Sequence, residues 1–366
     1  MPAAASADHP RSSGEIQTTK PGYRPRAGGG YNARAFRRRN NKENRVEQTT
    51  ANKLRHFPVS WFATVMGLAG LAMAWHNTRA LFKAPAFISA TLTVFASAVF
   101  VLLAAFYAAK FVKHRDEVVK EWRHPVRVNF VPTLSIGLVL LGTAYASVLP
   151  DLSFWLWAIG SGLNLVLTLY VISFWLNHTG FQIQHMNPAW FIPVVGNILV
   201  PVAGVYHASA EISWFFFSIG LVFWLVLFTI VIYRVIFHDP LPERLVPTLF
   251  ILIAPPAVGF LAWVSIMGTV DNFGRILYYI AFFLTLLLLT QVRRFARLQF
   301  FLSWWAYSFP AAAITIATLR MYNHTGHPVL HAAAWLFLVA LNVLIVMLLV
   351  RTLRAAQRGE ICVEEK

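Results

Sequence analysis

"SWWAYSFPAAAITIATLR", running from Ser303 to Arg320, is apolar enough for the interior of a bilayer, yet it holds Pro310 in its middle and Phe309 beside it. A proline inside a helix removes one backbone hydrogen bond, and lipid offers the freed carbonyl no substitute. Such a segment is stable only where its interrupted stretch packs against protein or borders water. The stretch therefore asks for a fold with an inside that lipid does not reach.

The composition agrees. Of 366 residues, 57% are hydrophobic and only 13% are charged, far from the balance of a soluble domain of this length. The expected class is an all-α polytopic membrane protein. Apolar runs of about 20 residues, each long enough to cross a hydrocarbon core of about 30 Å, recur at 57–77, 87–110, 129–149, 152–176, 189–207, 212–235, 246–268, 273–292, 301–320 and 329–350. Ten transmembrane helices are expected, arranged as five hairpins.

Charge divides the chain into three parts. Residues 1–55 form a basic arm with 12 Lys+Arg against 4 acids, rich in Gly, Pro and Asn and expected to be disordered. Residues 56–355 form the ten-helix domain, and residues 356–366 a short tail. The loops on the side of both tails carry Lys110, Lys113, Arg115, Lys120, Arg123, Arg127, Arg234, Arg244, Arg293, Arg294 and Arg297. The opposite loops carry only Arg79, Lys83, Arg275 and Arg320. The positive-inside rule then puts both termini of a multi-pass membrane protein in the cytoplasm.

Interior prolines select alternate spans. Pro58, Pro132, Pro193, Pro201, Pro247, Pro255, Pro256 and Pro310 all fall in odd-numbered spans, whereas Pro85 and Pro328 stand only at the entrances of even ones. Small or hydroxyl residues accompany the interruptions, among them Thr64, Thr133, Ser135, Gly196, Asn197, Thr248 and Ser308. The odd helices are thus expected inside and the even ones outside, around a central pore.

No acidic residue or histidine sits at mid-span to couple transport to protons. The single cysteine, Cys362, excludes an internal disulfide. No haem-ligand pair, metal-binding helix or phosphate loop stands out, so neither a cofactor nor an enzyme is expected. A neutral lumen with basic mouths suits small inorganic anions that pass without binding tightly.

"WWAYSFP" (304–310) resembles the ninth-helix motif of the tellurite-resistance/dicarboxylate-transporter family, which includes bacterial tellurite-resistance membrane proteins and the plant guard-cell slow anion channels. "FPVSWFATVMGLAGLAMAW" (57–75), "HPVR" (124–127) and "HMNPAWFIPVVGN" (185–197) extend the resemblance to roughly residues 56–355. It implies five inner and five outer helices, one pore per protomer, a homotrimer, and a phenylalanine gate at Phe309. Pro310 would bend the backbone beside that ring. Ala63 is the departure: the family commonly has glycine at the first-helix position facing the gate. Pro58, Pro132, Asn197, Pro201 and Pro255 complete the residues expected to line the pore.

The function expected is a gated passive channel for chloride or nitrate. The alternative is a carrier or exporter of tellurite, sulfite or a C4-dicarboxylate, for which Asn197 is the one lumenal amide in view. The basic arm is expected to meet anionic membrane lipid, at about 1 kcal/mol per basic residue near the surface, and no specific nucleic acid.

Overall fold

A computed structural model describes residues 53–362, so the basic arm up to residue 52 and the last four residues lie outside the described part. Among the described residues every regular element is helical. Nine stretches are long and apolar enough to cross a membrane, and the chain is a multi-pass integral membrane protein. The remaining expected segment is helical from 302 to 325, but Arg320, Asn323 and His324 in its last turns set it apart from the other nine.

The α-helices are α1 (Phe62–Phe82), α2 (Ala86–Lys113), α3 (Arg115–Trp122), α4 (Thr133–Tyr145), α5 (Pro150–Asn177), α6 (Phe191–Val195), α7 (Val200–His207), α8 (Ala210–Phe237), α9 (Ala254–Met267), α10 (Asn272–Leu289), α11 (Val292–Ala296), α12 (Ser308–Thr325) and α13 (Pro328–Arg358). Burial separates them into two layers. In the first, third, fifth and seventh spans 67–78% of the apolar window is buried, whereas in α2, α5, α8, α10 and α13 the share is 22–39%. The ninth span belongs with the buried set, since Ala312, Ala313, Ile314, Thr315 and Ala317 of α12 are all enclosed.

The prolines do not kink long α-helices, as the sequence reading expects. They start new ones. In all five inner spans a 3-10 stretch precedes an α-helix: Val59–Trp61, Arg127–Phe130, Gly196–Leu199, Val246–Ile253 and Leu302–Tyr307. Pro132, Pro201, Pro255 and Pro310 then stand at the beginning of α4, α7, α9 and α12, where a missing N–H costs least.

The tighter winding has a direct cause. Proline at position i cannot donate to the carbonyl at i−4, so the residue before it turns back to that carbonyl instead. Val131 N–H reaches Val128 O at 3.1 Å ahead of Pro132, and Val246 N–H reaches Glu243 O at 3.3 Å ahead of Pro247. Val200 N–H takes Asn197 O ahead of Pro201, and Ala254 N–H takes Ile251 O ahead of Pro255. These i→i+3 bonds define the 3-10 helix.

One polar side chain in each inner span reinforces its junction by donating to the carbonyl three residues back. Thr64 reaches Trp61 O at 2.8 Å, Thr133 reaches Phe130 O at 2.6 Å, and Asn197 reaches Val194 O at 2.8 Å. Thr248 bonds Leu245 O at 2.5 Å, and Ser308 bonds Trp305 O at 2.6 Å.

Outer helices contribute as well. From α5, Thr168 Oγ1 donates to Pro193 O at 2.6 Å and Trp157 Nε1 to Val200 O at 2.9 Å. Asn164 joins three spans: its Nδ2 donates to Asn197 Oδ1 at 3.0 Å, and its Oδ1 lies 3.0 Å from Ser135 Oγ.

At the end where the chain enters, α3 straps the first span. Glu121 accepts the Val59 N–H at 2.7 Å, and pairs with Lys110 at 2.8 Å; the ammonium also donates to Phe57 O at 2.8 Å. Both charged side chains are buried, so losing one partner would leave an uncompensated charge, at about 3–5 kcal/mol. Arg55 and Lys120 flank the exposed side of α3 and hold the Glu117 carboxyl at about 2. The last helix, α13, continues to Arg358 and ends on Gly359 at φ 71°, a left-handed turn that glycine adopts freely.

Asn164→Leu should lower the melting temperature of the purified protein, because Ser135 and Asn197 each lose a buried partner, at about 1–3 kcal/mol per group. An unchanged melting temperature would contradict the bracing role given to α5.

Candidate anion pore

A cavity of about 40 Å³ lies among the inner helices, and all five of them line it. Met66 comes from α1 and Ile136 from α4. The fifth span gives Phe191, Ile192, Val195, Gly196 and Leu199, the seventh gives Ile251, Ala254, Pro255 and Val258, and α12 gives Phe309. No ionisable side chain is among them. The space is a small apolar chamber with room for no more than a few waters.

Most lining residues sit within a few positions of a proline junction. Leu199 precedes Pro201 by two, Phe309 precedes Pro310 by one, and Ile136 follows Pro132 by four. Since α7, α9 and α12 start at this level, their N-terminal ends lie beside the chamber.

Phe309 is half-buried, with one side of its ring toward the chamber, and Pro310 is buried behind it. The helix that carries it packs closely against α1. A methyl group on Gly67 would collide with the Ser308 side chain, and one on Gly70 would come within 2.6 Å of Ala312 Cβ and 3.7 Å of the Phe309 ring. Two glycines of the first span therefore allow α12, which carries Phe309, to approach. Below it, the 3-10 turn is tied to α13: Trp305 Nε1 donates to Thr352 Oγ1 at 3.0 Å, and the Arg351 guanidinium lies 4.6 Å from the Trp304 ring centre.

The residues expected from the sequence are not all brought to the chamber. Phe309 and Pro255 line it. Ala63 is half-buried but not among the lining residues; Met66, one turn further along α1, takes that place. Pro58 and Pro132 stand nearer the entering end of the chain, outside the lining, and Pro201 is buried without reaching it. Asn197 is the clearest correction. Its amide is spent on Val194 O, Thr168 and Asn164, and its neighbour Gly196 faces the chamber instead.

Two of the basic residues counted for the mouths are also engaged inside the protein. Lys110 pairs with Glu121, and Arg234 is buried with its guanidinium on Ile183 O and Asp239 O. Met66 and Ile136 carry no sequence signal that separates them from ordinary core residues; only the junction spacing points toward Ile136.

The family model described as SLAC1, voltage-dependent anion channel, matches residues 56–353. The chain is 30% identical over 275 residues to the S-type anion channel SLAH3 of Arabidopsis thaliana, covering 73% of this chain and 43% of that protein. With the S-type anion channel SLAH2 of the same plant it shares 31% over 283 residues, 75% of this chain and 54% of the relative. The chain thus spans about half the length of these plant relatives. The tellurite resistance protein TehA homolog of Haemophilus influenzae is 26% identical over 326 residues, covering 87% of this chain and 96% of the relative.

Gly67→Ala should destabilise the protein by wedging α1 from α12. Gly162→Ala, on the exposed face of α5 with nothing within 4 Å, should be neutral or stabilising, because alanine favours helix by up to about 1 kcal/mol. Thermal unfolding of both variants measures the difference, and equal effects would contradict the close approach.

Proposed function

The chain belongs to the SLAC1 family, and from that premise we propose that it is a gated passive channel for small monovalent anions, chloride and nitrate among them, occluded by Phe309. The observation that carries this reading is the chamber lined by all five inner helices without an ionisable side chain. An anion crossing such a lumen meets no fixed cation to hold it, so entry and exit stay fast. Weakly hydrated anions are favoured, because the wall offers little to replace lost water.

Positive potential is placed at the mouths, where exposed residues such as Arg293, Arg294 and Arg297 enrich the anion without holding it inside the lumen. Phe309 closes the path with a neutral ring, and rotation of its side chain opens it. The proposal includes a tenth crossing by the 302–325 helix, assembly as a homotrimer, and both termini on the cytoplasmic side of the bacterial inner membrane, as the basic loops imply.

A carrier for C4-dicarboxylates is disfavoured, since two carboxylates need paired cationic or amide contacts and the one amide expected in the lumen, Asn197, is consumed elsewhere. Tellurite and sulfite transport is tested by the same measurement as the channel.

Phe309→Ala in planar bilayers should raise anion conductance by about tenfold or more, the effect of lowering a barrier by about 1.4 kcal/mol. Currents should follow the anion gradient with no dependence on the proton gradient. Truncating a packed phenylalanine costs about 3–5 kcal/mol in a soluble core, so oligomer yield and melting temperature are measured beside the current. A well-folded variant with wild-type conductance, or saturable proton-linked uptake, would contradict the reading.

A further inference from the structure

We propose that the outer end of α1, opposite the end where the chain enters, carries a binding site for a phosphate-class oxyanion built by His76, Arg79 and Lys83. The three residues are spaced by three and four, which places them on one face of the helix. They surround an open hollow of about 500 Å³, completed by Ala84 and Ala86 at the turn into α2.

Among the described residues no acidic side chain pairs with this charge. The sequence contains no Asp or Glu between Arg55 and Arg115. Among the described residues none of the three side chains has a hydrogen-bond or ion-pair partner, although buried and half-buried cations elsewhere in the chain do, Lys110 and Arg234 being examples. The negative end of the helix dipole accounts for one basic residue in a last turn. It does not account for three around a hollow.

Lys83 gives the second, independent indication. It ends α1 in the left-handed conformation, at φ 53°. The inner helices α9 and α12 end at the same side of the protein in the same conformation, and both use glycine there, Gly268 and Gly326. Keeping a lysine where the backbone favours glycine places a mobile ammonium over the hollow at the expense of local strain.

The donor set selects the ligand. A planar guanidinium binds two oxygens of one group at once, an ammonium adds a point charge, and the imidazole N–H supplies a third contact. A tetrahedral oxyanion presents separate oxygens to all three, whereas a halide offers a single centre that the donors must share. The hollow lies where α1 ends and α2 begins, at the end of the first apolar span, and Phe87 just beyond it is exposed. A phospholipid headgroup and free phosphate share the chemistry that fits.

The test uses the full-length protein and reads binding, so its outcome is separate from that of any current recording. Thermal unfolding in lipid-free detergent is titrated with sodium phosphate against sodium chloride at matched ionic strength. A parallel set follows protein in nanodiscs of phosphatidylglycerol or of phosphatidylcholine. Stabilisation by phosphate over chloride identifies a free anion; stabilisation by phosphatidylglycerol alone identifies a headgroup. In either case Arg79→Gln with Lys83→Gln should weaken the effect by about tenfold or more, the loss of charge-assisted contacts.

Lys83→Gly separates binding from structure. It should leave the unliganded melting temperature unchanged or raised while weakening the phosphate or phosphatidylglycerol effect. Equal responses of wild type and the double variant to both probes, or a lowered unliganded melting temperature for Lys83→Gly, would overturn the proposal.

Discussion

A backbone carbonyl in the interior of a bilayer has no water to bond, so every interruption of a helix there must be answered by protein. In this chain the interruptions are prolines, and the answer is local: the residue ahead of each of Pro132, Pro201, Pro247 and Pro255 turns its N–H onto the carbonyl that the proline leaves. The inner spans are therefore 3-10 helix up to a junction and, from that junction on, α-helix. A hydroxyl or amide at each junction, from Thr64 to Ser308, adds a bond to the carbonyl three residues back. This arrangement needs shielding from lipid, and the outer helices provide it.

The remaining architecture follows from that need. The unbroken helices α2, α5, α8, α10 and α13 face outward with most of their windows exposed, and the interrupted ones pack behind them. Glycines 67 and 70 bring α1 against α12, and this contact sets Phe309 beside the chamber. The 3-10 turn before Phe309 is in turn fastened to α13 through Trp305 and Thr352. The position of one ring thus depends on the helix that holds its preceding turn as well as on the proline that follows it.

Much of this was legible in the sequence because its cause is compositional. Proline restricted to alternate spans indicates which helices must be enclosed, and the apolar runs mark the spans. The conversion to 3-10 geometry was not legible, since the chain resolves a missing N–H either by kinking or by tightening, and the choice depends on neighbours. Asn197 looked lumenal because it lies beside the lumen-facing Gly196, but in tight winding the adjacent residue points elsewhere, here toward Asn164 and Thr168 of α5. Lys110 read as a loop charge, and only packing shows that it meets Glu121 in a buried pair beside Val59. Met66 and Ala63 share a face of α1 one turn apart, and the chamber lies at the level of Met66.

The claim on which the account rests is that the interrupted helices enclose the anion path, and thiol accessibility tests it most directly. In a Phe309→Ala, Cys362→Ser background, single cysteines at Leu199 and Val258 are compared with cysteines at Leu169 and Val226 on the outer faces of α5 and α8. A membrane-impermeant, negatively charged thiol reagent should modify and block at 199 and 258, with nitrate slowing the reaction, and leave 169 and 226 untouched. Unreactive lumenal cysteines in a conducting protein, or block arising from the outer positions, would contradict it.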